Sequence, residues 1–191
     1  MTERVWVFGY GSLVSPVSLG ATLGREPVRG VDFIAAECAG WERRWNYGHT
    51  IDPSRYSGTE VDRIDTVVAL GVVPVVGATM NGIITLVHAD ELVRLDARER
   101  HYDRVDVTDA VTLLEEATDG VGIDRVVTYV PRDEPLAVYR SARDRGRAGI
   151  EIRYWNLVDG AFDALAPGQG DRYRATTPAP DVPVVDVSRI D

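Results

Sequence analysis

The chain has 191 residues, 45% of them hydrophobic and 27% charged, a composition that fits one globular domain with an adequate core. Its 21 basic and 30 acidic side chains leave a charge of −9, which counts against a general nucleic-acid-binding surface. Every basic residue is an arginine, so lysine Schiff bases, phosphate-loop lysines, Ser–Lys pairs and lysine-anchored pyridoxal phosphate are excluded together.

Val5-Trp6-Val7-Phe8 is short, β-branched and aromatic, stops at Gly9, and predicts a strand. Gly9-Tyr10-Gly11-Ser12 predicts a turn, with a short helix over about Pro16 to Leu23. Strand character returns from Val31 to Cys38 and at most to Trp45, and His49 to Glu60 is polar enough for a long loop. Val67 to Val76 predicts a strand, and Asn81-Gly82 a turn into a further strand over Ile83 to Val87. Asp90 to Arg98 predicts a helix and Tyr102 to Val107 a strand. Val111 to Leu114 and Asp124 to Val130 are expected to form a hairpin across Thr118-Asp119-Gly120. Helices are expected over Leu136 to Arg145 and from Glu151 to about Leu165. The tail from Thr176, with Pro178, Pro180 and Pro183, is expected to run extended over the surface.

Single helices among many strands, without strict alternation, predict an α+β fold. Its sheet is expected to be mixed, mostly antiparallel and curled toward a barrel, with a few flanking helices. Residues 1–175 are expected to make one domain and 176–191 the tail. Cys38, the one cysteine, lies in an apolar stretch and reads as a small core residue. His49, His88 and His101 are widely separated and form no metal-ligand pattern. No residue pattern announces a metal site or a cofactor. With no apolar run of membrane-spanning length and no signal-peptide core, the expected location is the cytoplasm.

Two segments carry chemistry. The first is Phe8-Gly9-Tyr10-Gly11-Ser12-Leu13, where glycines let consecutive backbone N–H groups approach an anion or a carbonyl oxygen. A dinucleotide loop would need a third glycine where Val14 stands, followed by a regular βαβ unit, so that reading fails; an ordinary tight turn is the plain alternative. The second is the helix from Asp90. Leu92 and Leu95 define its inward stripe, Glu99 falls on that stripe, and Asp96 lies near its edge; Glu91, Arg94 and Arg98 fall on the solvated side. A carboxylate on an apolar face is desolvated and becomes a stronger base; the plain alternatives are a helix that ends before Glu99, or an ion pair with Arg100 or Arg104. The helical wheel does not separate Asp96 from Glu99.

In combination these segments resemble the γ-glutamylcyclotransferase (AIG2-like) family. Val7-Phe8-Gly9-Tyr10-Gly11-Ser12-Leu13 is similar to its F-x-Y-G-S-L signature. Leu95-Asp96-Ala97-Arg98-Glu99, with Tyr102, Arg104 and Val107, is similar to its L-D-x-x-E-G-x-x-Y-x-R-x-x-V stretch, with a shorter spacing before the tyrosine. Gly77 to Leu86 resembles the strand before that helix, and Tyr129 falls in a matching later strand. The likeness covers roughly residues 5 to 130. Arg100 stands where the family usually has glycine, which changes how the helix must be capped.

The resemblance implies substrate binding at Tyr10, Gly11, Ser12, Leu13 and Tyr129, and acid/base catalysis by Glu99. The implied reaction is attack of a γ-glutamyl α-amine on its own γ-carbonyl, releasing 5-oxoproline and a free amine. The turn's N–H groups would steady either the substrate carboxylate or the developing oxyanion. The implied partner is a small γ-glutamyl compound, with no nucleic acid and no membrane, and a homodimer is left open. Ser12 as a covalent nucleophile would need a base, and no histidine is visibly placed for it. Two further readings share the motifs: a cyclotransferase for a specialised biosynthetic amine, and a non-catalytic binder of the same fold. Trp41, Trp45, Tyr47 and Tyr56, around the polar segment, are expected in the core or a dimer contact before a pocket wall.

Overall fold

A computed structural model describes residues 5–115 and 123–190. Among these residues, ten strands and five α-helices follow one another as β1 (Val5–Gly9), α1 (Pro16–Leu23), β2 (Phe33–Thr50), β3 (Tyr56–Ser57), β4 (Thr66–Val87), α2 (Ala89–Arg98), β5 (Tyr102–Asp106), β6 (Val111–Leu113), β7 (Val126–Pro131), α3 (Asp133–Asp144), β8 (Ala148–Glu151), α4 (Ile152–Leu165), α5 (Gln169–Thr176), β9 (Val184–Val185) and β10 (Ser188–Arg189). The fold is α+β. The main sheet runs β5-β7-β1-β4-β2-β6, and its end strands β5 and β6 do not pair with each other among the described residues.

β1 explains its own sequence. All five of its residues are buried, with β4 antiparallel on one side and β7 parallel on the other. A strand covered on both faces has no use for alternation, hence the unbroken apolar run. Helix α1 follows from local signals: Ser15 caps its N-terminus, Pro16 opens it, and Gly24 closes it at φ 76°.

β2 and β4 form the long axis of the sheet, 18 and 22 residues pairing from Phe33–Thr85 to Thr50–Thr66. Two register slips interrupt them. At the first, Ala39 faces Thr79 and Trp41 faces Pro74; at the second, Trp45 faces Leu70 and Tyr47 faces Ala69. Such bulges bend and twist a strand pair. One end of this pair therefore serves the main core, and the other receives β8 in parallel at Thr66 and Val67.

Several expectations are corrected. Asn81-Gly82 is no turn but the middle of β4. Asn81 is fully buried, and a Cβ on Gly82 would collide with the Gly9 carbonyl oxygen and lie 2.8 Å from the Phe8 ring. The glycine marks close approach of β1, not a reversal. Val111–Leu113 and Val126–Pro131 do not form a hairpin: β6 pairs with β2 at one edge, while β7 sits between β1 and β5. Burial on both faces favours that position for β7; the expected Thr118-Asp119-Gly120 connection lies outside the described residues. The polar segment from His49 is not one loop, because β2 continues to Thr50 and Tyr56–Ser57 pairs with β10.

The C-terminal stretch adds strands β9 and β10, and Val185 and Val187 join Ile51 and Ile64 in a small second core. Helix α5 had no apolar stripe to announce it. It is anchored by Arg43, a fully buried guanidinium that donates from Nη1 to the Asn81 carbonyl oxygen (2.5 Å), from Nη2 to Asn81 Oδ1 (2.7 Å) and Thr176 Oγ1 (2.8 Å), and from Nε to Thr177 Oγ1 (2.9 Å). The Phe162 and Tyr173 rings cover it at 4.8 and 4.9 Å. No helix among the described residues is long and apolar enough to cross a membrane.

Candidate active site

The end of β1 and the end of α2 converge on one cavity of about 40 Å³. At the first, the chain leaves β1 through Gly9, where a Cβ would come 2.9 Å from Leu13 Cβ, and winds into a single 3-10 turn over Ser12–Val14. That turn is closed by Val14 N–H to the Gly11 carbonyl oxygen (3.0 Å) and Ser15 N–H to that of Ser12 (3.1 Å). The N–H groups of Gly11, Ser12 and Leu13 have no acceptor among the described residues. The three residues line the cavity, and their N–H groups form a short row of open donors in the turn.

Glu99 ends α2, its N–H donating to the Leu95 carbonyl oxygen at 2.8 Å. Its side chain is 15% exposed and lies on the same cavity. Burial raises its pKa, and the Arg98 guanidinium, 3.1 Å away, opposes that rise in part. Asp96 is placed differently. It is 42% exposed, accepts from the Tyr129 hydroxyl at 2.8 Å, and pairs with Arg104 at 3.3 Å. Of the two carboxylates the wheel left level, only Glu99 lines the inner cavity. No non-glycine residue among the described ones has a positive φ, so Arg100 continues the chain without the left-handed backbone a glycine would supply.

Tyr10, Gly11, Ser12, Leu13 and Tyr129 all line the cavity with Glu99. The Tyr10 hydroxyl is already spent on the Tyr129 carbonyl oxygen at 2.6 Å. Burial pushes the Tyr10 and Tyr129 phenols well above their ordinary pKa, and the Glu99 charge adds to both shifts.

Three residues missing from the expected site belong to it. Tyr102 lines the cavity, reaches the Leu70 carbonyl oxygen at 3.5 Å, and stacks on Tyr47 at 4.7 Å. Tyr154, from α4, accepts from the Leu70 N–H at 3.4 Å; a Cβ on Gly11 would stand 3.2 Å from its hydroxyl. Burial pushes the Tyr154 phenol up to about 12. The third is Arg98, expected on the solvated side. Its Nη2 donates to Ser12 Oγ (2.8 Å) and Ser18 Oγ (3.2 Å), and its Nη1 to Thr22 Oγ1 (2.5 Å) and the Ser18 carbonyl oxygen (3.3 Å). It thereby ties the turn, α1 and Glu99 together. Tyr102 sat in a recognisable motif; Tyr154 had no signal, because the contact is made only by folding.

Glu91 departs from the wheel. It is 3% exposed, accepts from the His88 N–H at 2.9 Å as an N-terminal cap, and pairs with Arg25 Nε at 2.5 Å. Trp45 is core, packed one layer behind the cavity: it stacks on Trp155 at 5.0 Å and meets the Tyr154 ring edge-on at 6.1 Å. Among the described residues no group of three His, Cys, Asp or Glu side chains is arranged to hold a metal ion.

The fold is shared with solved structures that include a γ-glutamyl cyclotransferase. A structure described as a γ-glutamyl cyclotransferase matches with TM-score 0.57 at 13% identity, over 93% of this chain and 90% of its own. An uncharacterised protein from Homo sapiens matches with TM-score 0.58 at 14% identity over the same shares, 93% and 90%. YkqA from Bacillus subtilis matches with TM-score 0.52 at 13% identity, over 91% of this chain and 54% of its own. At these identities the likeness carries the fold. No protein-family model and no curated protein matches the sequence.

Proposed function

We propose that the protein is a γ-glutamyl cyclotransferase: it closes a γ-glutamyl compound into 5-oxoproline and frees the amine. The observation that carries this reading is the shared cavity of Glu99 and the open N–H groups of Gly11, Ser12 and Leu13. The substrate's α-amine attacks its own γ-carbonyl, so both reactants arrive on one molecule and the protein has mainly to fold it and move a proton. As the new C–N bond forms, Glu99 accepts a proton from the attacking nitrogen; as the old one breaks, Glu99 returns it to the departing nitrogen. A carboxylate raised in pKa by burial suits both halves of that exchange.

The turn's donors receive negative charge, either the substrate's α-carboxylate or the oxyanion on the former carbonyl. Arg98, held on Ser12, fixes the turn relative to Glu99. Acid–base chemistry at one side chain is enough for the cyclisation.

The test is an incubation of the protein with a γ-glutamyl dipeptide, glutathione and a simple γ-glutamylamine. Equimolar 5-oxoproline and free amine from at least one of them is the expected result. Hydrolysis to glutamate, or no turnover of any of the three, would count against the reading.

A further inference from the structure

We propose that Arg100 is a specificity-determining residue and that it selects leaving amines bearing a carboxylate; this rests on the cyclotransferase reading. A second cavity of about 230 Å³ lies next to the inner one, and the two share Glu99, Tyr102 and Tyr129. With the reacting carbonyl held between the turn and Glu99, as the cyclotransferase reading has it, we place the amine it carries in this second space. Three arginines, Arg100, Arg104 and Arg132, line it. Two are neutralised: Arg104 by Asp96 at 3.3 Å and Arg132 by Asp103 at 2.8 Å. Arg98, behind them, is paired with Glu99 at 3.1 Å.

Arg100 is different. It has no carboxylate partner among the described residues, and its Nε donates to His101 Nε2 at 3.0 Å. That contact orients the guanidinium and leaves both terminal nitrogens open. A planar cation held at one nitrogen and free at two is the arrangement that takes a carboxylate in two parallel hydrogen bonds. The competing explanation is that Arg100 merely complements the C-terminal end of α2. That role would affect stability and not substrate choice.

The experiment compares γ-glutamylalanine with its C-terminal amide, which differ in one charge at the same place, uses the ratio of their kcat/KM values, and includes γ-glutamylethylamine as a third substrate without either group. Intrinsic differences between the two leaving groups cancel when the ratio in wild type is divided by that in Arg100→Gln. For an exposed arginine the expected quotient is about tenfold in favour of the acid, falling as salt is added. Arg100→Lys should keep part of it.

A quotient near one overturns the proposal, including the case in which Arg100→Gln lowers the melting temperature alone. Turnover confined to γ-glutamylethylamine overturns it as well, while leaving the cyclotransferase reading intact. No turnover of any of the three compounds refutes that reading and this one with it.

Discussion

Arg98→Met keeps an unbranched stem, and none of the polar contacts of the guanidinium survive. The loss comprises hydrogen bonds to Ser12 Oγ, Ser18 Oγ, the Ser18 carbonyl oxygen and Thr22 Oγ1, and the pair with Glu99. The arginine side chain is 29% exposed, so water replaces part of what is lost. A net destabilisation of about 1–2 kcal/mol follows, or roughly 2–8 °C in melting temperature for a domain of this size.

The functional consequences are larger and have a sign. Without its link to Ser12 the turn drifts from Glu99, and kcat/KM falls by about 10- to 100-fold. Arg98 is also the cation that holds the Glu99 pKa down against burial. Its removal lets that pKa rise further, so the acidic limb of the kcat/KM profile moves to higher pH. Arg98→Lys keeps the charge without the fork; its acidic limb should stay near that of wild type while kcat/KM still falls. The assay is 5-oxoproline release across pH, with melting curves to show that each variant is folded. A folded Arg98→Met whose acidic limb stays in place or moves to lower pH refutes the account of Glu99.

Two stability measurements probe the rest of the framework. The folded-state pKa of Glu99 is raised, so its charged form is disfavoured by folding: its contribution is fully present below the unfolded pKa and is lost as pH rises through the folded one. Glu99→Gln should therefore melt slightly above wild type at neutral pH, by on the order of 1 kcal/mol or less, with the difference closing in acid; a lower melting temperature at pH 7 would contradict the sign. Arg43→Met leaves the buried Asn81 carbonyl and amide oxygens without donors and releases α5. It should cost about 3 kcal/mol, or roughly 6–12 °C, and an unchanged thermal melt would show that the guanidinium anchors nothing.

The elements that were legible in sequence are those whose signals are local. Ser15, Pro16 and Gly24 bracket α1, and the unbroken Val5–Phe8 run marks a strand covered on both faces. That the turn and Glu99 meet at one cavity was legible to the extent that two short motifs pointed to both. What stayed hidden is made by tertiary contact. Asn81-Gly82 looks like a hairpin turn in isolation; it is a strand interior because Arg43 needs the amide of Asn81 and β1 needs the bare backbone of Gly82. β7 carries no local mark of its partners; its place between β1 and β5 is decided by burial that only the assembled sheet supplies. Glu91 was assigned to solvent by helical periodicity, yet a capping interaction buries it; Arg98 is exposed as periodicity has it, and its bonds to α1 and the turn were what the wheel could not show. Tyr154 reaches the site across α4, far along the chain from the turn it touches.

The central claim is that Glu99, and not Asp96, moves the proton in a cyclisation. The direct measurement is 5-oxoproline release by wild type, Glu99→Gln and Asp96→Asn on the best substrate of the panel, at matched folded concentration. The account predicts that Glu99→Gln loses at least about a hundredfold, the scale of a general acid–base group, while Asp96→Asn, whose partners are Tyr129 and Arg104, retains most of its rate. An Asp96→Asn variant that is dead beside an active Glu99→Gln would contradict it.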